Sequence, residues 1–174
     1  MQRFSRCLRA GLAVMLLSVL GIVATAGSAD ADSPLVACTG SQNSNHSPGV
    51  TNVPQTVTVD SVTSYTCVLP LLGSVSHTEH SVVPGLSCPN LLNTAPGAVT
   101  LHWSDGQSSA FSFTQNLEAV NGVTTLIRLG SITSGRFAGH TVTETLVGAS
   151  LNLTACASTG ITNYSFPVGT LVIV

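Results

Sequence analysis

From Gly97 to Val174 apolar and small polar residues alternate, Thr and Val recur, and nothing repeats at the interval of a helix. A period of two sends successive side chains to opposite faces of an extended chain, so this stretch must form half-buried strands. Branched side chains suit such strands, and the turn pairs between them mark an antiparallel meander.

Alternation and turn chemistry together set the register. Val99, Leu101 and Trp103 share one face of a strand, and Phe111 and Phe113 share one face of the next. A two-residue Asp105-Gly106 loop would set Phe111 opposite Thr100, on the wrong face. A three-residue loop of Ser104, Asp105 and Gly106 sets Phe111 opposite Val99 and puts Gly106 where positive φ is needed. Asn121-Gly122 is a two-residue hairpin signal. Pairing Val120 with Val123 sets Leu117 opposite Leu126, Phe113 opposite Gly130 and Phe111 opposite Ile132. Gln115 opposite Arg128 breaks this apolar row, which implies a bulge or a solvent-facing stretch there. Ser134-Gly135 marks a third hairpin, returning through Phe137 to Val147. Segments 149–157 and 168–174 complete the sheet.

Residues 35–96 carry most of the prolines. Strands are expected there at 35–40, 55–62, 64–69 and 73–82, joined by Pro and Asn turns. The expected fold is all-β: an antiparallel β-sandwich, with a closed or partly open β-barrel as the alternative.

Residues 1–31 read as a secretory signal peptide. Arg3, Arg6 and Arg9 precede a short apolar run and small residues that end in Ala29-Asp30-Ala31. Residues 32–174 then form a single secreted, extracellular domain. Only Arg128 and Arg136 remain there as bases against six carboxylates, a net charge of −4, and the chain has no Lys. With 7% charged residues and no basic stripe to neutralise phosphates, nucleic acid is excluded as a partner. A hydrophobic content of 44% argues against a disordered chain. No transmembrane segment is expected once the leader is removed, and the apolar end Leu171–Val174 reads as a strand.

Cys7 lies in the leader. Cys38, Cys67, Cys88 and Cys156 remain, an even count that implies two disulfides in an exported chain. The favoured pairing is Cys38 with Cys67 and Cys88 with Cys156. Leu35-Val36-Ala37-Cys38 has the look of a lipobox, but polar and small residues separate it from the apolar run, so Cys38 is assigned to a disulfide. No C-x-x-C pair occurs, which disfavours zinc and dithiol chemistry.

Motifs with chemical content are few. His77 and His80 in His77-Thr78-Glu79-His80 point to opposite faces of a strand and cannot share a metal there. A two-residue third hairpin sets Glu118 and Glu144 beside Thr125 on one face. Their backbones would then be roughly 9–10 Å apart, near the separation of an inverting glycosidase pair. No G-x-S-x-G elbow, P-loop or dinucleotide fingerprint is present. His46, His102 and His140 read as solvent-facing. Trp103 reads as core by parity. The Thr56/Thr58 and Thr141/Thr143/Thr145 rows read as outward strand faces. Asn45, Asn152 and Asn163 head N-x-S/T acceptor patterns.

Five segments carry a resemblance: Cys38-Thr39-Gly40, Ser47-Pro48-Gly49, Trp103 to Ser108, Gly130 to Gly139, and Ala155-Cys156. Across most of residues 32–174 the chain resembles small secreted β-rich proteins of actinobacteria. That resemblance implies export and a β-fold, and it supplies no activity, cofactor or site residue.

The residues thus point to a non-enzymatic binding or structural module at or outside the cell surface, with no catalytic, metal or cofactor set. The residues name no partner; cell-wall or extracellular polysaccharide, or protein, are the candidates. The alternatives are a carbohydrate-acting hydrolase using Glu118 and Glu144, and an inhibitor of extracellular enzymes presenting the loop between Pro84 and Pro96.

Overall fold

A computed structural model describes residues 34–68 and 73–174. The expected leader therefore lies outside the described residues.

Eight antiparallel strands follow one another around a closed barrel. They are β1 (Val36–Val50), β2 (Gln55–Cys67), β3 (Ser74–Leu86), β4 (Ala95–Trp103), β5 (Ser108–Val120), β6 (Val123–Gly135), β7 (Thr141–Ala149) and β8 (Ile161–Ile173). Pairing of β1 with β8, through Val36↔Ile173 to Asn45↔Asn163, closes the ring. The all-β expectation is met, and the observed architecture is the barrel alternative in place of the sandwich. The first half is more regular than its prolines suggest. β1 continues to Val50, and β2 runs unbroken through Ser64, so the two short strands expected at 55–62 and 64–69 are one. Segment 149–157 is not a strand. β7 stops at Ala149, and Leu153–Cys156 forms a helical turn, α1, capped by the Asn152 side chain accepting from the Ala155 N–H.

Two hairpins have the register that the turns dictate. Val99 lies opposite Phe111 across the Ser104-Asp105-Gly106 loop, with Gly106 at φ 85°. Val120 lies opposite Val123, which brings Leu117 to Leu126 and Phe113 to Gly130. The third hairpin differs. Ile132 donates its N–H to the His140 carbonyl and accepts from the Gly139 N–H around a longer connection, so Arg128 and not Thr125 lies opposite Glu144. A slip by an odd number of residues moves a side chain to the other face.

Inward-facing residues form a closed apolar end. Leu101, Trp103, Phe111, Ile132, Val142 and Ile173 are buried there. The β6–β7 connection folds across it, with Phe137 edge-on to Trp103 at 5.3 Å and Arg136 paired with Asp105. Trp103 donates Nε1–H to Ser109 Oγ at 2.9 Å. The core assignment of Trp103 holds. A second, smaller apolar cluster gathers Val50, Val57, Cys156 and Ile161 beneath a short 3₁₀ turn, η1 (Cys88–Asn90).

Both disulfides pair as expected, Cys38 with Cys67 and Cys88 with Cys156. Cys38 Sγ is thereby committed to a disulfide. The first bridge ties β1 to β2, and the second joins η1 to α1. No helix among the described residues is long and apolar enough to cross a membrane.

Candidate binding cavity

An eight-stranded barrel has an interior just wide enough to be filled by side chains or to hold one small ligand. One end of this barrel is filled by side chains, and the other is open. Above the apolar end lies a layer of buried polar side chains, and above that layer is a cavity of about 590 Å³.

Glu144 anchors the polar layer and is 0% exposed. Its Oε1 accepts the Tyr65 hydroxyl at 2.6 Å and meets His77 Nε2 at 2.9 Å. A carboxylate oxygen only accepts, so the His77 nitrogen facing it carries the proton. His77 Nδ1 has no partner. Glu144 Oε2 accepts from Arg128 NH1 at 3.0 Å. Burial alone would raise the pKa of Glu144. The hydrogen bond from His77, the Arg128 guanidinium and the hydrogen bond from Tyr65 outweigh it and hold the group at about 2. Burial, then the neighbouring Glu144 charge, raises the pKa of Tyr65 and keeps it a neutral donor.

Arg128 connects this layer to the cavity. Its guanidinium donates from Nε to Gln115 Oε1 (3.2 Å), from NH1 to Gln42 Oε1 (3.3 Å) and Glu144, and from NH2 to Glu79 Oε2 (3.0 Å). It lies 5.0 Å from the centroid of the Phe113 ring. That ring lies over Gly97, where a Cβ would come within 2.4 Å of it. Glycine at 97 is therefore part of how Arg128 is positioned. Thr63 and Ser44 hold Gln42 in turn.

Arg128, Glu79, Gln115 and Ser61 face the cavity as its polar floor, and apolar side chains such as Val59, Leu117, Leu126 and Phe166 form walls. The rim is residues 84–96 together with Leu151 and Ile161, fastened by the Cys88–Cys156 bridge. Strands β3 and β4 pair only at Val75↔Trp103 and Ser76↔His102. Above that point the strands part, and the cavity is lined from both sides of the seam by Ser81 and Pro84 and by Ala95 and Ala98.

The structure sorts the expected site residues. His77 and His80 do point to opposite faces, with His77 buried and His80 exposed beside Asp60. His77 is a member of the polar layer and not a surface residue. Glu118 is exposed while Glu144 is buried, so the two carboxylates lie on opposite faces and cannot flank one glycosidic bond. Gln115 and Arg128 do face one another, and neither a bulge nor solvent explains them: both point into the barrel. His46 is half-buried and lines the cavity, its pKa lowered by burial. His102 is exposed, as expected. Asn45 and Asn163, both in acceptor patterns, bond to each other across β1 and β8. No group of three His, Cys, Asp or Glu among the described residues could hold a metal ion.

No protein-family model, curated protein or solved structure matches this chain.

The ionised Glu144 makes stability acid-sensitive. Its folded pKa lies below the unfolded value near 4.5, so the unfolded chain binds the proton more readily. The contribution is complete above about pH 4.5 and is lost as pH falls toward 2. Urea unfolding midpoints should drop through that window, and Glu144→Gln should flatten the drop. An equally steep drop in the variant would assign the acid sensitivity elsewhere.

Proposed function

We propose that this chain is an exported binding module that encloses one small, mainly apolar molecule in the open half of its barrel. The carrying observation is the cavity of about 590 Å³, walled by apolar side chains and floored by a few convergent polar ones. Ligand sites have this size and this division of surface. The binding reading is preferred over hydrolysis because Glu118 and Glu144 lie on opposite faces, and Glu144 sits under the floor with its oxygens already engaged. The loop between Pro84 and Pro96, suggested as an inhibitor's contact surface, serves here as the rim. Export is supported by the four cysteines of residues 32–174 forming two disulfides, bonds that persist in oxidising compartments.

Titration with a neutral apolar dye such as N-phenyl-1-naphthylamine tests the reading. The protein should bind the dye saturably at one site. Ala95, which faces the cavity at the start of β4, offers a plug: Ala95→Trp should abolish the signal while leaving the melting temperature near that of the parent. Absence of saturable binding by the parent protein would overturn the proposal, as would unchanged binding by the plugged variant.

A further inference from the structure

Resting on that binding reading, we infer that the enclosed molecule is uncharged and hydroxylated, with its hydroxyl seated on the Arg128–Glu79 floor and its apolar body against the walls.

The unused hydrogen-bonding capacity of the floor carries the inference. Arg128 has five N–H groups, of which four are committed to Gln115, Gln42, Glu144 and Glu79. One N–H on NH2 remains. Glu79 uses Oε2 for Arg128, and among the described residues nothing donates to its Oε1. Gln115 spends its carbonyl on Arg128 and keeps its amide N–H groups. Ser61 is 3% exposed, lines the cavity, and its Oγ has no partner. A buried hydroxyl without a partner is costly, so a ligand that satisfies it gains affinity.

These free groups are mixed in kind. Arg128, Gln115 and Ser61 offer donors; Glu79 and Ser61 offer acceptors. A hydroxyl both donates and accepts, so it can bond to Glu79 and to Arg128 or Ser61 at once. A carboxylate or phosphate only accepts, and it would meet one guanidinium already shared by two carboxylates, Glu79 and Glu144. An ammonium only donates: it could bond to Glu79, but it would lie beside the Arg128 charge and leave the free Arg128 N–H without an acceptor. In a partly desolvated floor such mismatches exclude the wrong head group more strongly than a good contact favours the right one.

Four ten-carbon ligands that differ only in head group test this at neutral pH: decan-1-ol, decanoate, decylammonium and decyl methyl ether. Each competes with the neutral dye. Decan-1-ol should displace it at concentrations at least about tenfold lower than the other three. Glu79→Gln, which keeps an oxygen for Arg128 but removes a negative charge, should narrow the gap between alcohol and carboxylate; circular dichroism checks that it folds. Equal competition by the alcohol and the ether would overturn the hydroxyl assignment while leaving the cavity reading intact. So would tighter binding of either ion, or dye binding that none of the four displaces. Failure of the dye itself to bind would instead overturn the binding reading.

Discussion

Replacing Arg128 by Met is expected to lower the unfolding free energy by about 3–5 kcal/mol, the cost of breaking a buried ion pair by removing one partner. Methionine keeps the length and apolar bulk of the stem, so what leaves is the guanidinium and its four hydrogen bonds. Glu144, 0% exposed, would stay ionised without a countercharge or would take up a proton against its environment. Gln115 and Glu79 would lose the Arg128 donor as well, and Gln42 Oε1 would keep only Thr63. A loss of this size is a large share of the 5–15 kcal/mol typical of a domain. Urea unfolding checks it. The double variant Arg128→Met with Glu144→Gln should recover part of the loss, because no buried carboxylate is then left unpaired, and the pair should be strongly non-additive. A single-variant cost below about 1 kcal/mol would show that the polar layer is held by its neutral members alone.

Removing the second disulfide with Cys88→Ala and Cys156→Ala is expected to cost about 4 kcal/mol, because the bridge closes a sequence separation of 68 residues in the unfolded chain. The Cys38–Cys67 bridge spans 29 residues and should contribute somewhat less, by roughly 0.8 kcal/mol on the same chain-entropy account. The two losses also differ in place. Cys88–Cys156 fastens η1 to α1 at the cavity rim, so its removal should weaken dye binding along with stability. Cys38–Cys67 lies in the closed apolar core, where its loss should lower stability with less effect on binding. Non-reducing urea melts and dye titrations of both double variants check this. A larger stability loss from the shorter bridge would show that native-state packing outweighs the entropy of the unfolded chain.

The parts of the fold legible in the residues were the local ones. Asn121-Gly122 and Ser104-Asp105-Gly106 specify tight turns through backbone conformations that few residues adopt, and each turn sets the register of a whole hairpin. Parity then placed Trp103, Phe111 and Leu126 in the core. The third hairpin differs because Ser134-Gly135 reads as a two-residue turn, whereas the connection is longer and carries positive φ at Gly135, Phe137 and Gly139. That slip put Glu144 on the wrong face, and with it the centre of the polar layer. Gln115 does pair with Arg128, but alternation alone assigns the pair the wrong surroundings, because a polar residue on an inward row implies solvent exposure unless its partners are known.

Those partners come from strands far along the chain. Tyr65 and His77 reach Glu144 from β2 and β3, 79 and 67 residues away, across the lumen. Alternation says which face of a strand a side chain occupies, and turn residues say which neighbour it has in the ladder. Both are properties of adjacent chain, so they are written in the order of the residues. Which side chains meet across an interior, and where that interior stays open, depends on the sheet closing through β1 and β8 and parting between β3 and β4. Closure sums the twist and register of all eight strands, and no single stretch of residues encodes that sum.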